Sequence, residues 1–142
     1  MPRRLAPIEL SQTELVRRFY SSFNAEDLDG FVATLHPHVE LQTARGLRIG
    51  LAEARTWATR NPNGGLHQRF VVEDLLEHHN HVVALVRKQW WWKETDDLAE
   101  DEETSALFTI QDGLIARWQP YRDRGEALAA AGIAREANQP PQ

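Results

Sequence analysis

Residues 66–121 read as strand almost throughout, and that stretch constrains the fold more than any other. Residues 66–77, 81–93, 104–111 and 114–121 are rich in β-branched and aromatic side chains and are separated by turn signals. Such a pattern predicts four long antiparallel strands. Asp112-Gly113 is the sharpest hairpin signal, because glycine supplies the positive φ that a tight turn needs. A sheet of this size must bury one face against something apolar, and the first half of the chain supplies helices for it.

Ser11-Gln-Thr-Glu14 has the spacing of a capping box and starts a first helix, along which Leu15, Val16, Phe19, Tyr20 and Phe23 form one apolar stripe. Asn24 can cap a second helix. In it Leu28, Phe31, Val32 and Leu35 keep helical spacing up to Pro37, which leaves His36 as a helix C-terminal residue facing water. Residues 39–43 then read as strand. Gly46 and Gly50 bracket a short extended piece, and residues 51–60 read as a third helix stopped by Asn61-Pro-Asn-Gly-Gly65. After the four strands, Asp123 caps a short Ala-rich helix that runs to Gly132. The class is α+β, a single domain over residues 10–133, with residues 1–9 and 134–142 as loose ends.

Composition removes several function classes. Cysteine is absent, which excludes disulfides, thiolate metal sites and a cysteine nucleophile. The formal net charge is −5 and the arginines are scattered among acids, so no nucleic-acid partner is expected. No apolar run approaches the ~20 residues of a membrane span, and the Met1-Pro-Arg-Arg start lacks the apolar core of a signal peptide. A soluble cytoplasmic protein without a membrane partner is the expectation. His78, His79 and His81 crowd a polar hairpin turn, with no cysteine or well-spaced acid to complete a metal shell. The acidic stretch 94–103 lacks calcium-loop spacing and reads as a solvated hairpin.

The stretch FYSSFNAEDLDGFVATLHPHVEL and the ending DGLIARWQPYRDRGEALAAAGI resemble the NTF2-like superfamily, and within it the SnoaL-like proteins related to polyketide cyclases, ketosteroid isomerases and limonene epoxide hydrolases. The resemblance covers about residues 10–133. It implies a cystatin-like cone: three helices of the N-terminal half packed in a strongly bent, mixed or antiparallel sheet, a short C-terminal helix and a pocket at the open end. It also implies a homodimer through the outer sheet face.

On that resemblance the epoxide hydrolase arginine falls on Arg87, while the acids of the same triad fall on Gln89 and Pro120. The isomerase's proton-shuttling acid falls on Thr43, and its oxyanion-binding Tyr and Asp fall on Phe19 and Ala106. Neither chemistry survives the loss of its acid–base groups. Alternation along HVVALVRKQWWWK puts Arg87, Gln89 and Trp91 on one face, read as the pocket face, with Trp90 and Trp92 on the other as a subunit contact. The expected lining is Phe19, Tyr20, Phe23, Leu41, Thr43, Arg87, Gln89, Trp91, Ala106, Phe108, Trp118, Pro120 and Arg122. Arg87 with Gln89 either holds a strand carbonyl or a carboxylate such as Glu40, or anchors a carboxylate, enolate or phenolate of a ligand.

Three functions are consistent with this. One is binding of a small hydrophobic, anionic or oxygenated molecule without a cofactor or metal. Another is a cofactor-free lyase, isomerase or cyclase using Asp123, Glu40 or His36. The third is an interaction module whose pocket is plugged by Trp91, Trp118 and Tyr20.

Overall fold

A computed structural model of the chain describes residues 10–59 and 65–133. The expected loose ends, the end of the third helix at Arg60 and most of the turn after it lie outside the described residues. Among the described residues four helices and six strands follow in the order α1 (Gln12–Ala25), α2 (Leu28–Ala33), β1 (Leu35–Thr43), β2 (Gly46–Ile49), α3 (Leu51–Thr59), β3 (Leu66–His78), β4 (His81–Trp92), β5 (Leu98–Gln111), β6 (Leu114–Tyr121) and α4 (Arg124–Ala130). The α+β expectation holds, with three helices in the N-terminal half, α3 falling between β2 and β3, one bent mixed sheet and a short C-terminal helix.

Helix α1 opens with the expected capping box, Ser11 Oγ accepting from the Glu14 amide and the Glu14 carboxylate accepting from the Ser11 amide. It closes where Glu26 adopts a left-handed conformation, φ 59°, so that the amides of Glu26 and Asp27 reach back to the carbonyls of Phe23 and Ser22. Asp27, not Asn24, caps α2, its carboxylate accepting from the Gly30 amide at 3.0 Å. Asn24 has other work: its side-chain amide donates to the Phe70 carbonyl and its side-chain oxygen accepts from the Phe70 amide, both at 2.8 Å. One side chain thus satisfies two backbone groups on edge strand β3 and fastens α1 to it.

The second helix is shorter than its periodicity suggests, because Leu35 and His36 belong to β1. Pro37 is tolerated there. The β1–β6 register jumps from Leu35↔Ile115 to Glu40↔Arg117, so Pro37 stands where no ladder partner calls for an amide. His36 is accordingly a half-buried strand residue, its Nδ1 accepting from the His38 amide at 3.1 Å and its Nε2 lying 3.6 Å from Asp112.

The sheet order is β2-β1-β6-β5-β4-β3, with β1 parallel to β6 and every other neighbour antiparallel. Strand β5 starts at Leu98 rather than Thr104, so most of the acidic stretch expected as loop is ladder. Its acids face cations across the strand, Glu103 opposite Arg87 and Glu102 opposite Lys88, and opposite charges offset the poor strand propensity of Glu and Asp.

The two faces of the sheet bury different partners. On the inner face Val82, Ala84, Val86, Ala106, Phe108 and Trp118 share a core with Leu15, Val16, Phe19 and Tyr20 of α1 and Phe31 of α2. Phe19 sits at its centre, 4.9–5.1 Å from the rings of Phe31, Phe108 and Tyr20. On the outer face Val83 and Leu107 pack against Ala127, Leu128 and Ala131 at α4. Asp123 caps α4 as expected, accepting from the Gly125 amide at 2.8 Å. No described helix is long and apolar enough to cross a membrane.

Replacing Asn24 with Ala removes both bonds to Phe70 and should lower the unfolding free energy by about 1–3 kcal/mol. Urea denaturation measures it. A change below about 0.5 kcal/mol would show that water satisfies the Phe70 backbone as well.

Candidate functional site

Beyond the inner core the strands continue outward, and their registers stack side chains in rows. Val72, Val86 and Thr104 form one row, Phe70, Lys88 and Glu102 the next, and Gln68, Trp90 and Glu100 the third. Helices α1 and α3 stand opposite. Between them lies a hollow of ≈ 720 Å³. Its walls are Phe23, Trp57, Ala58, Phe70, Val86, Trp90, Ala106, Trp118 and Pro120, with Thr43, Gln68, Lys88 and Thr104 as nearby polar groups. Glu26, Arg45, His67 and Lys93 complete the charged and titratable lining among the described residues.

Aromatic rings form most of one continuous wall. Trp57 stacks on Phe23 at 5.3 Å and meets Trp118 at 5.1 Å, while Phe23 touches Phe70 at 5.4 Å. Several polar groups on this wall are already engaged: Thr43 donates to the Gly46 carbonyl at 2.7 Å and Thr104 to the Tyr121 carbonyl at 3.0 Å. Lys88 is different. Its ammonium lies 3.9 Å from Glu102, beyond hydrogen-bonding distance, and its side chain is 34% exposed. Among the described residues no acceptor takes a hydrogen bond from that ammonium, whose three donors can meet a ligand.

Of the expected lining, Phe23, Thr43, Ala106, Trp118 and Pro120 face the hollow. Phe19, Tyr20, Leu41 and Phe108 are sealed in the core instead. The Tyr20 hydroxyl meets only the Trp118 ring N–H, at 3.5 Å, among the described residues. Burial pushes that phenol well above its ordinary range, an effect the Trp118 hydrogen bond opposes.

Arg87, Gln89 and Trp91 project from the outer face, the reverse of the expected phase. Val82, Ala84 and Val86 are buried against the helices, and alternation therefore carries Lys88 and Trp90 inward. Arg87 donates to Asp101 at 2.9 Å and lies 3.8 Å from Glu73 and 3.9 Å from Glu103. Glu73 and Glu103 also hold Arg124, at 2.6 and 3.5 Å. Trp91 donates its ring N–H to Gln89 at 3.1 Å. Arg87 is thus paired with a carboxylate, as one sequence reading had it, but the partner is Asp101 rather than Glu40. Glu40 lies 3.9 Å from Arg117.

None of the three acid–base candidates lines the hollow. Asp123 caps α4, Glu40 faces Arg117 and His36 lies near Asp112. Arg122 is exposed and outside the lining as well. Sequence reasoning missed Lys88, Trp90, Trp57, Gln68 and Phe70. Lys88 and Trp90 were visible as the alternate face of the same strand; Trp57 required knowing how α3 lies across the sheet.

The hydrogen bond and charge of Arg87 hold the Asp101 carboxyl below its ordinary value. A carboxylate with a depressed folded-state pKa contributes stability above its unfolded value, near 3.9, and loses it as pH falls through the folded value. The stability difference between wild type and Arg87→Met should therefore be largest above about pH 5 and shrink as pH falls below about 3.9. Denaturation midpoints across that range measure it. A difference independent of pH would contradict the pairing.

Comparison with family models matches residues 16–118 to the SnoaL-like domain. Comparison with curated protein sequences gave no significant match. Among solved structures, a candidate polyketide cyclase of Xanthomonas campestris pv. campestris is similar at a TM-score of 0.67 and 24% identity, over 83% of this chain and 94% of its own. TerC co-crystallised with polyporic acid is similar at 0.67 and 19% identity, over 84% and 96%. An LEH-like epoxide hydrolase of M. tuberculosis is similar at 0.66 and 16% identity, over 84% of each chain. At these identities the likeness speaks for fold alone. With the domain match spanning most of the chain and the bent sheet opening on an aromatic hollow, this protein belongs to the SnoaL-like domain family.

Proposed function

We propose that this protein binds a small, planar, hydrophobic molecule carrying an anionic or hydrogen-bonding oxygen, and that Lys88 anchors that oxygen in place of the arginine expected from sequence. The observation that carries the reading is an ammonium, 3.9 Å from Glu102 and without a hydrogen bond to the described residues, in an aromatic-walled hollow. A volume of ≈ 720 Å³ lies within the range of about 300–1,000 Å³ in which proteins hold small organic ligands. The faces of Trp57, Trp90 and Trp118 suit a flat ring system, and an ammonium bound to an oxygen anion contributes about 1.5–3 kcal/mol. TerC, which shares the fold, was crystallised with polyporic acid. A homodimer through the outer sheet face belongs to the same reading; no cofactor, nucleic acid or membrane enters it.

A second reading, a cofactor-free lyase, isomerase or cyclase, is favoured by Glu26, which shares the described lining with Lys88. Its carboxylate could exchange protons with a bound guest where Asp123, Glu40 and His36 could not. The pure interaction module loses support, because Trp91 and Tyr20 lie outside the hollow rather than plugging it.

Tryptophan quenching with 2-naphthoate and methyl 2-naphthoate tests the anchor, since the two differ in charge and little in ring area. Lys88→Met should weaken 2-naphthoate by about tenfold or more and the neutral ester by less than about threefold. Equal losses for both, or no binding of either to the wild type, would overturn the proposal.

A further inference from the structure

Only two of the sixteen Lys and Arg residues in this chain are lysines, Lys88 and Lys93, and both line the hollow. For holding an anion, arginine serves as well or better: its guanidinium is permanently charged and grips a carboxylate with two parallel hydrogen bonds. This chain uses arginine at every other basic position. What a lysine offers and a guanidinium does not is an amine that can release its proton and attack carbon.

We infer that Lys88 is a reacting amine, which condenses with the aldehyde or ketone group of a planar hydrophobic guest to form an imine. The inference rests on the small-molecule-binding reading and deepens it. On β4 Lys88 stands between Val86 and Trp90, with Phe70 across the strand, so a guest lying on those rings would place a substituent against the ammonium. Glu102 lies opposite on β5, its oxygen 3.9 Å from the nitrogen. That separation is an ion-pair distance without a hydrogen bond, and it puts a proton acceptor within a side-chain rotation or one water.

The step closes without an oxidant, a reductant or any co-reactant beyond the carbonyl compound. Lys88 gives one proton to Glu102, and its lone pair adds to the carbonyl carbon while the π pair moves to oxygen. A second proton passes from nitrogen to that oxygen. Glu102 returns its proton to the hydroxyl, the C–O bond breaks and water leaves. Ammonium and carbonyl have become a protonated imine and water, and Glu102 is again a carboxylate. The protonated imine draws electrons from the adjacent carbon, and so supplies the electron sink that a cofactor-free lyase or isomerase requires.

Reductive trapping tests this on the full chain. The protein is incubated with 2-naphthaldehyde and sodium cyanoborohydride at neutral pH, and the adducts are located by peptide mass mapping. Lys93, exposed on the same lining, serves as the internal reference. Lys88 should be modified about tenfold faster than Lys93, and total incorporation should fall by a similar factor in Lys88→Arg. Modification of Lys93 or the terminal amine as fast as Lys88, or no adduct at Lys88, would overturn the inference. Binding of 2-naphthoate is measured alongside. Should it bind while Lys88 stays unmodified, the reacting-amine inference falls alone; should it not bind and Lys88 stay unmodified, the binding reading falls with it.

Discussion

Val82, Ala84 and Val86, buried against α1 and α2, decide which side of β4 the hollow sees. A strand alternates its side chains strictly, so a slip of one residue would exchange the whole set facing inward for the set facing out. With these three residues committed to the core, Lys88 and Trp90 must follow them, and Arg87, Gln89 and Trp91 must face away. The aromatic floor built around Phe19 ensures that the commitment is kept, because no charged residue of β4 could replace the buried valines without losing its solvation.

The outer face uses its charges for a different purpose. Arg87 and Arg124 share Glu73 and Glu103, and Arg124 also donates to the carbonyls of Val86 and Thr104 at 3.0 and 3.1 Å. Glu73 is the residue left without a cross-strand partner where the β3–β4 register jumps from Val72↔Val86 to Asp74↔Leu85. A bulge bends a strand locally. The paired guanidinium groups thus stand directly behind the wall that carries Val86, Thr104 and Lys88, and they tie the first residue of α4 to the bent part of the sheet.

Much of this fold was legible in the chain. Ser11 and Asp123 announce their helices because capping is a local exchange of hydrogen bonds, and Asp112-Gly113 announces its hairpin because turn geometry is local too. Asn24 misled for the opposite reason: its partner Phe70 is remote in sequence, and an asparagine fits a cap equally well. Strand β5 begins earlier than expected because Glu102 and Glu103 owe their place to Lys88 and Arg87 across the ladder. The face of β4 could not be chosen from hydropathy. Val83 and Leu85 are apolar as well, since α4 covers part of the outer face, so the strand carries two apolar stripes and no absolute sign. The resemblance to arginine-bearing relatives then pointed to Arg87, and a paired outer arginine was read as an inner one.

What the site offers is a cation of an unusual kind for this chain, set in aromatic walls and close to a carboxylate. A crystal structure of the protein with 2-naphthoate tests the central claim most directly. The account predicts the naphthalene ring among Trp57, Trp90 and Trp118, with its carboxylate about 3 Å from Lys88 Nζ. A carboxylate bound at Arg87, or a hollow left empty while the ligand lies elsewhere, would contradict it.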